Sequence, residues 1–165
     1  MNVNARTVDL AAESTGAGPV IVLLHGIGES ARSWDPVIAE LARDRTLIAV
    51  DLRGHGRSPP GDTYEITTMA EDVYALLQRL GLGEQDVLLI GHSMGGLVAL
   101  AYAASHRTCG TIVVEQLLNL VKVQDMLRPL DGVFPGDRFA ESFVTVFDGL
   151  WGELPAEEIE RIRTV

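Results

Sequence analysis

Four short runs of the chain are apolar at nearly every position: 20–24, 46–52, 87–90 and 111–114. A run of that length without alternation is the mark of a strand buried on both faces. Between the runs the apolar positions recur at helical spacing. Residues 34–43 place Val37, Ile38 and Leu41 on one side, with Pro36 in the first turn. Residues 68–80 place Val73, Leu76, Leu77 and Leu80 on one side. Thr68 and Glu71 have the spacing of a capping box, and Gly81 that of a C-terminal cap. Residues 97–104 form a third, small-residue helix. Residues 7–12 are read as a short edge strand and 13–19 as a turn. Strands alternating with helices imply an α/β fold with a doubly wound, mostly parallel sheet.

In such a sheet, ligands bind at the carboxyl ends of the strands. Three loops begin there, at His25, Asp51 and Gly91. The third is Gly91-His92-Ser93-Met94-Gly95-Gly96, between a strand and a helix. A serine at so tight a turn sits in a strained backbone. The glycines around it let strand and helix approach closely. Ser93 is then held at a helix N-terminus, where free N–H groups favour negative charge. The bland alternative is a glycine-rich turn with an incidental serine; the flanking strand and helix count against it.

Three motifs carry a resemblance to the α/β-hydrolase fold family. They are His25-Gly26, Asp51-x-Arg53-Gly54-x-Gly56-x-Ser58 and Gly91-His92-Ser93-Met94-Gly95, in the family's order and spacing. The resemblance is strong over residues 20–114. It implies that Ser93 is the nucleophile and that the backbone N–H groups of Ile27 and Met94 form an oxyanion hole. His25 and Gly26 shape the loop that carries Ile27, and the loop 51–58 is structural. Relatives that open epoxides use a carboxylate at the elbow. A serine there implies acyl transfer on an ester, lactone or similar carbonyl, with a carbon–carbon bond hydrolase or a cofactor-free perhydrolase as the alternatives within the same resemblance, and with no metal or organic cofactor.

The family's triad runs Ser, acid, His along the chain. This sequence holds no histidine after His106. His25 is read as an orienting residue. His92 is read as pointing away from the Ser93 hydroxyl, His55 as bonded to local backbone, and His106 as a partner of a helix end. Glu115, just after the fourth run, is a candidate acid; its structural alternative is a solvated or ion-paired carboxylate.

Residues 1–115 are read as the core and 116–165 as a helical cap segment that stops within a helical pattern. The expectation is therefore a fragment of a serine hydrolase, poorly active alone. The competing reading is a non-catalytic binding or interaction domain that keeps the elbow, with the sheet edge open to an oligomeric partner. All four phenylalanines lie at 134–147. Phe139, Phe143 and Phe147 follow helical spacing and are candidate contacts for an apolar small-molecule substrate, with His25 and Gly26 on the opposite loop. Packing the cap onto the sheet is the equal alternative.

Composition narrows the partners. With 13 basic and 23 acidic residues the net charge is −10, which disfavours nucleic acid and anionic membrane as partners. The single cysteine, Cys109, excludes an internal disulfide. No leader pattern is visible, so a cytoplasmic location is expected. The histidines and the cysteine show no metal-binding spacing, and no metal is expected.

Overall fold

A computed structural model describes residues 6–83 and 87–114. Five strands form one sheet in the order β1-β3-β2-β4-β5. They are β1 (Ala12–Gly16), β2 (Val20–Leu24), β3 (Thr46–Val50), β4 (Leu88–His92) and β5 (Gly110–Val114). The pairs β3–β2, β2–β4 and β4–β5 are parallel, and β1 lies antiparallel on β3.

The apolar runs of β2 and β3 become strands because both of their faces are covered, whereas the run at 111–114, read as buried on both faces, forms the edge strand β5 with Ile112 and Val114 exposed. Val22, Leu24, Ile48, Val50 and Leu89 point to one face. There they pack with α2 (Ile66–Arg79) and α3 (Met94–Ser105) through Val73, Leu76, Leu77, Val98 and Ala99. Ile21, Leu23, Leu47 and Ala49 point to the other face. They meet a 3₁₀ turn (Ala31–Trp34) and α1 (Asp35–Leu41) through Ala31, Trp34, Val37 and Ile38. Successive side chains on a strand alternate in direction, so only an unbroken apolar run fills two cores at once. Burying each Leu, Ile or Val contributes about 1.5–3 kcal/mol.

Further local expectations need correction. The edge strand is Ala12–Gly16, inside the stretch read as a turn, and residues 7–11 precede it as irregular chain. Its side chains are mostly exposed. The strand is held by its backbone ladder to β3, which leaves no hydrophobic pattern to read. The helix read at 68–80 begins at Ile66, and its N-cap, Glu65, makes no side-chain cap bond. The Thr68–Glu71 capping box does not form: Thr68 is buried inside the helix, and Glu71 faces His106 at 3.0 Å. Leu80 is exposed rather than part of the apolar face. Gly81 does take the left-handed conformation expected of a C-terminal cap, with φ 74°.

The Asp51–Ser58 loop is pinned from several sides. Asp51 is buried and accepts the Ala31 N–H at 2.7 Å and the Arg57 side chain at 3.1 Å. Ser58 donates to the Asp51 carbonyl at 2.6 Å and accepts the Ala11 N–H at 2.8 Å. Arg53 and Asp72 form a fully buried, two-pronged ion pair at 2.5 and 2.7 Å. The remaining Arg53 donors reach the Thr63 and Arg6 carbonyls, and Asp72 also accepts the Val8 N–H. The pair thereby ties the N-terminal segment and the loop after β3 to α2. No helix among the described residues is long and apolar enough to cross a membrane.

Candidate active site

The carboxyl ends of β2 and β4 lie side by side, because β2 and β4 pair in parallel with Leu24 opposite Gly91. The two loops that leave them therefore start as neighbours. The loop after β4 is a single residue, Ser93, before α3 begins at Met94. Ser93 has φ 47° and ψ −118°; among the described residues no other non-glycine has positive φ. Such a conformation costs on the order of 1–3 kcal/mol and survives only where its surroundings over-determine it.

Those surroundings are visible. The Ser93 N–H donates to the Val114 carbonyl of β5 at 2.9 Å, and its own carbonyl accepts the Gly96 N–H at 2.9 Å. The glycines leave no alternative. A Cβ on Gly91 would run into the Gly95 carbonyl and the Gly96 nitrogen. A Cβ on Gly95 would run into the Leu24 carbonyl and the His25 carbonyl at the end of β2. The elbow thus packs backbone against backbone on both sides.

His25 is fully buried at the start of the β2 loop. Its Nε2 accepts the Leu52 N–H at 3.0 Å, which leaves Nδ1 protonated to donate to the Gly26 carbonyl at 2.7 Å. Burial, reinforced by the nearby His55, pushes its pKa down from 6.5 to about 4, against the raising effect of the Gly26 carbonyl. With both ring nitrogens committed and the ring neutral, His25 orients the loop, as the sequence suggests. His55 bonds the Arg53 carbonyl at 2.9 Å. His106 caps the far end of α3, stacks on Tyr74 with centroids 3.9 Å apart, and meets Glu71.

His92 meets Glu29, whose Oε2 lies 3.2 Å from its Nδ1. The same oxygen accepts the Gly26 N–H at 2.9 Å. Sequence reading assigned Glu29 no part. Its only signal is an acidic residue three positions after Gly26 in a glycine-rich turn, too common a pattern to single out.

Ile27 follows Gly26 with its side chain exposed, and Met94 is the first residue of α3. Glu115, Phe139, Phe143 and Phe147 lie outside the described residues, as does the whole segment read as a cap. Cys109 is exposed in the turn before β5. Among the described residues no group of three His, Cys, Asp or Glu side chains is placed to hold a metal ion.

A family model described as "alpha/beta hydrolase fold" matches residues 19–156. The chain is 39% identical over 123 residues to a soluble epoxide hydrolase from Corynebacterium, covering 74% of this chain and 41% of that protein. It is 39% identical over 116 residues to protein phosphatase methylesterase 1 from Mus musculus, covering 67% of this chain and 28% of that protein. Among solved structures it resembles a thermophilic esterase from Thermogutta terrifontis, with a TM-score of 0.64 and 32% identity. That match covers 73% of this chain and 48% of the esterase. The chain therefore spans less than half the length of each of these relatives.

Proposed function

Since the chain belongs to the α/β-hydrolase family, we propose that Ser93 is the nucleophile of an acyl-transfer reaction on an ester or similar carbonyl compound. The observation that carries this reading is the strained Ser93 backbone, φ 47° and ψ −118°, between β4 and the first turn of α3. Strain of this kind persists only where the surrounding structure over-determines it, and it clusters at active sites and ligand clamps.

In the proposed reaction the Ser93 Oγ attacks the carbonyl carbon, and the oxygen becomes an oxyanion that accepts from the Ile27 and Met94 N–H groups. The C–O bond to the alcohol breaks, the alcohol leaves with a proton, and water hydrolyses the acyl-enzyme. The nucleophile's chemistry separates this reading from epoxide opening. A serine attacking an epoxide would form an ether, which water does not cleave, whereas its ester with an acyl group turns over. The methylesterase and the esterase among the relatives support the same choice. The phenylalanines at 134–147 support an apolar acyl group.

The catalytic histidine, in this reading, comes from outside these 165 residues. His25 has both nitrogens committed, His55 serves its own turn, and His106 lies at the opposite end of α3 from Ser93. His92 is read from its position next to Ser93 as pointing away from the Ser93 hydroxyl, and its Nδ1 meets Glu29. Without a base, an elbow retains the contributions of its oxyanion hole and of substrate binding. Hydrolysis of a short-chain p-nitrophenyl ester by the 165-residue chain tests the reading. The expected result is slow turnover, far below about 1 s⁻¹, that Ser93→Ala abolishes. Turnover unchanged in Ser93→Ala would reject it.

A further inference from the structure

The Glu29 carboxylate joins two loops that the strand order only places side by side. Its Oε2 accepts the Gly26 N–H at 2.9 Å, on the loop after β2, and lies 3.2 Å from Nδ1 of His92, the residue before Ser93. A carboxylate oxygen can only accept, so the His92 Nδ1 carries the proton in this contact. Both side chains are largely withdrawn from solvent, His92 29% and Glu29 21% exposed. The fit around Gly26 is tight: a Cβ there would lie 2.9 Å from the His92 Nδ1 and 3.3 Å from the Glu29 Oε2.

The peptide that follows is held as firmly on its other edge. The Gly26 carbonyl accepts Nδ1–H of His25 at 2.7 Å and the Glu29 N–H at 3.3 Å. The latter bond closes a four-residue turn, Gly26 to Glu29, with Gly28 at its third position at φ 73°. That is the pattern of a type II turn. The Gly26 carbonyl and the Ile27 N–H belong to one planar, trans peptide unit, so they point in opposite directions. Fixing the carbonyl against His25 and Glu29 fixes the aim of the Ile27 N–H.

We infer that Glu29 is a positioning residue, whose single bridging oxygen ties the loop carrying the Ile27 N–H to the elbow carrying the Met94 N–H. As an aid to chemistry this rests on the proposed role of Ser93; as a structural bridge it does not. Both donors must face one oxyanion, and their separation is set by how the two loops are held together. The strand ladder ends at the Leu24–Gly91 pair. Beyond it, the Gly26–Glu29–His92 chain continues the connection by side chain.

The test compares the 165-residue chain with Glu29→Ala and Glu29→Gln by two readouts. The first is hydrogen exchange of the Gly26 amide together with the ring ¹⁵N signals of His92. In Glu29→Ala the Gly26 amide is expected to exchange at least tenfold faster, and the His92 ring signals to shift. Unchanged exchange at Gly26 would overturn the bridge. The second readout is the concentration dependence of Ser93 labelling by a fluorophosphonate. Glu29→Ala is expected to lower the maximal labelling rate about tenfold while leaving the half-saturating concentration within twofold. Glu29→Gln keeps an acceptor oxygen and should recover part of the rate. An unchanged maximal rate in Glu29→Ala, with the Gly26 amide loosened, would overturn the positioning role. Failure of the wild-type chain to label at Ser93 would instead strike the proposed nucleophile, and Gly26 exchange would still decide the bridge.

Discussion

The Nε2 atom of His25 accepts the backbone N–H of Leu52 at 3.0 Å, so the loops after β2 and β3 are locked together through a neutral imidazole. The lock has a pH dependence with a definite sign. The pKa of His25 falls from 6.5 to about 4 on folding, chiefly through burial. Between those values the unfolded chain binds the proton and the folded chain does not. The stabilisation is therefore complete above pH 6.5 and is lost as pH falls towards 4. At roughly 1.4 kcal/mol per pKa unit, the loss attributable to this residue is about 3 kcal/mol. Urea unfolding at pH 7, 5.5 and 4.5 should show His25→Asn less stable than the wild type at pH 7 and less sensitive to acid. Parallel pH profiles would refute the assignment.

The Arg53–Asp72 pair invites a different comparison. Both side chains are fully buried, and every Arg53 nitrogen has an acceptor. Asp72→Ala would strand the guanidinium charge and should cost about 3–5 kcal/mol. Replacing both partners together, as Arg53→Met with Asp72→Leu, removes the charge with its counter-charge and should cost less than the single change. Denaturant unfolding of the two variants decides this; a double variant less stable than Asp72→Ala would contradict the account of a desolvated pair.

Strain at Ser93 predicts an inversion of the usual order of glycine and alanine. At an ordinary position glycine is less stable than alanine by about 0.5–1 kcal/mol, because it loses more backbone freedom. At φ 47° and ψ −118° the Cβ is itself the source of strain. Ser93→Gly should therefore unfold at higher denaturant than Ser93→Ala, by an amount on the order of 1 kcal/mol. The reverse order would mean that the elbow relaxes when the serine is replaced.

Much of this architecture is written in the sequence where one residue type has one physical job. The apolar runs of β2 and β3 read directly as strands, since both faces of those strands are covered. The Gly91-x-Ser93-x-Gly95 spacing reads as a strained elbow, since a side chain at either glycine would strike backbone. His55 was legible as a partner of its own backbone, since it lies in a glycine-rich turn, where it bonds the Arg53 carbonyl.

What was not legible depends on groups that any sequence could supply. The β1 strand is made of backbone bonds and exposed side chains, and its residues look like a turn. Thr68 and Glu71 have cap spacing, yet α2 starts two residues earlier and buries Thr68. Glu29 bridges to His92 across 63 positions, a contact set by the β2–β4 register and carried by no local pattern.

Whether the fold primes Ser93 as a nucleophile, as proposed, is tested chemically. The purified chain would be incubated with an excess of a fluorophosphonate probe, and the adduct counted by intact mass and located by peptide mapping. One adduct per chain is expected, formed slowly over hours, located at Ser93, and absent from both Ser93→Ala and Ser93→Gly. A folded chain that gains no adduct at Ser93, or that labels equally in the Ser93 variants, would contradict the proposal and favour a binding domain that only keeps the shape of the elbow.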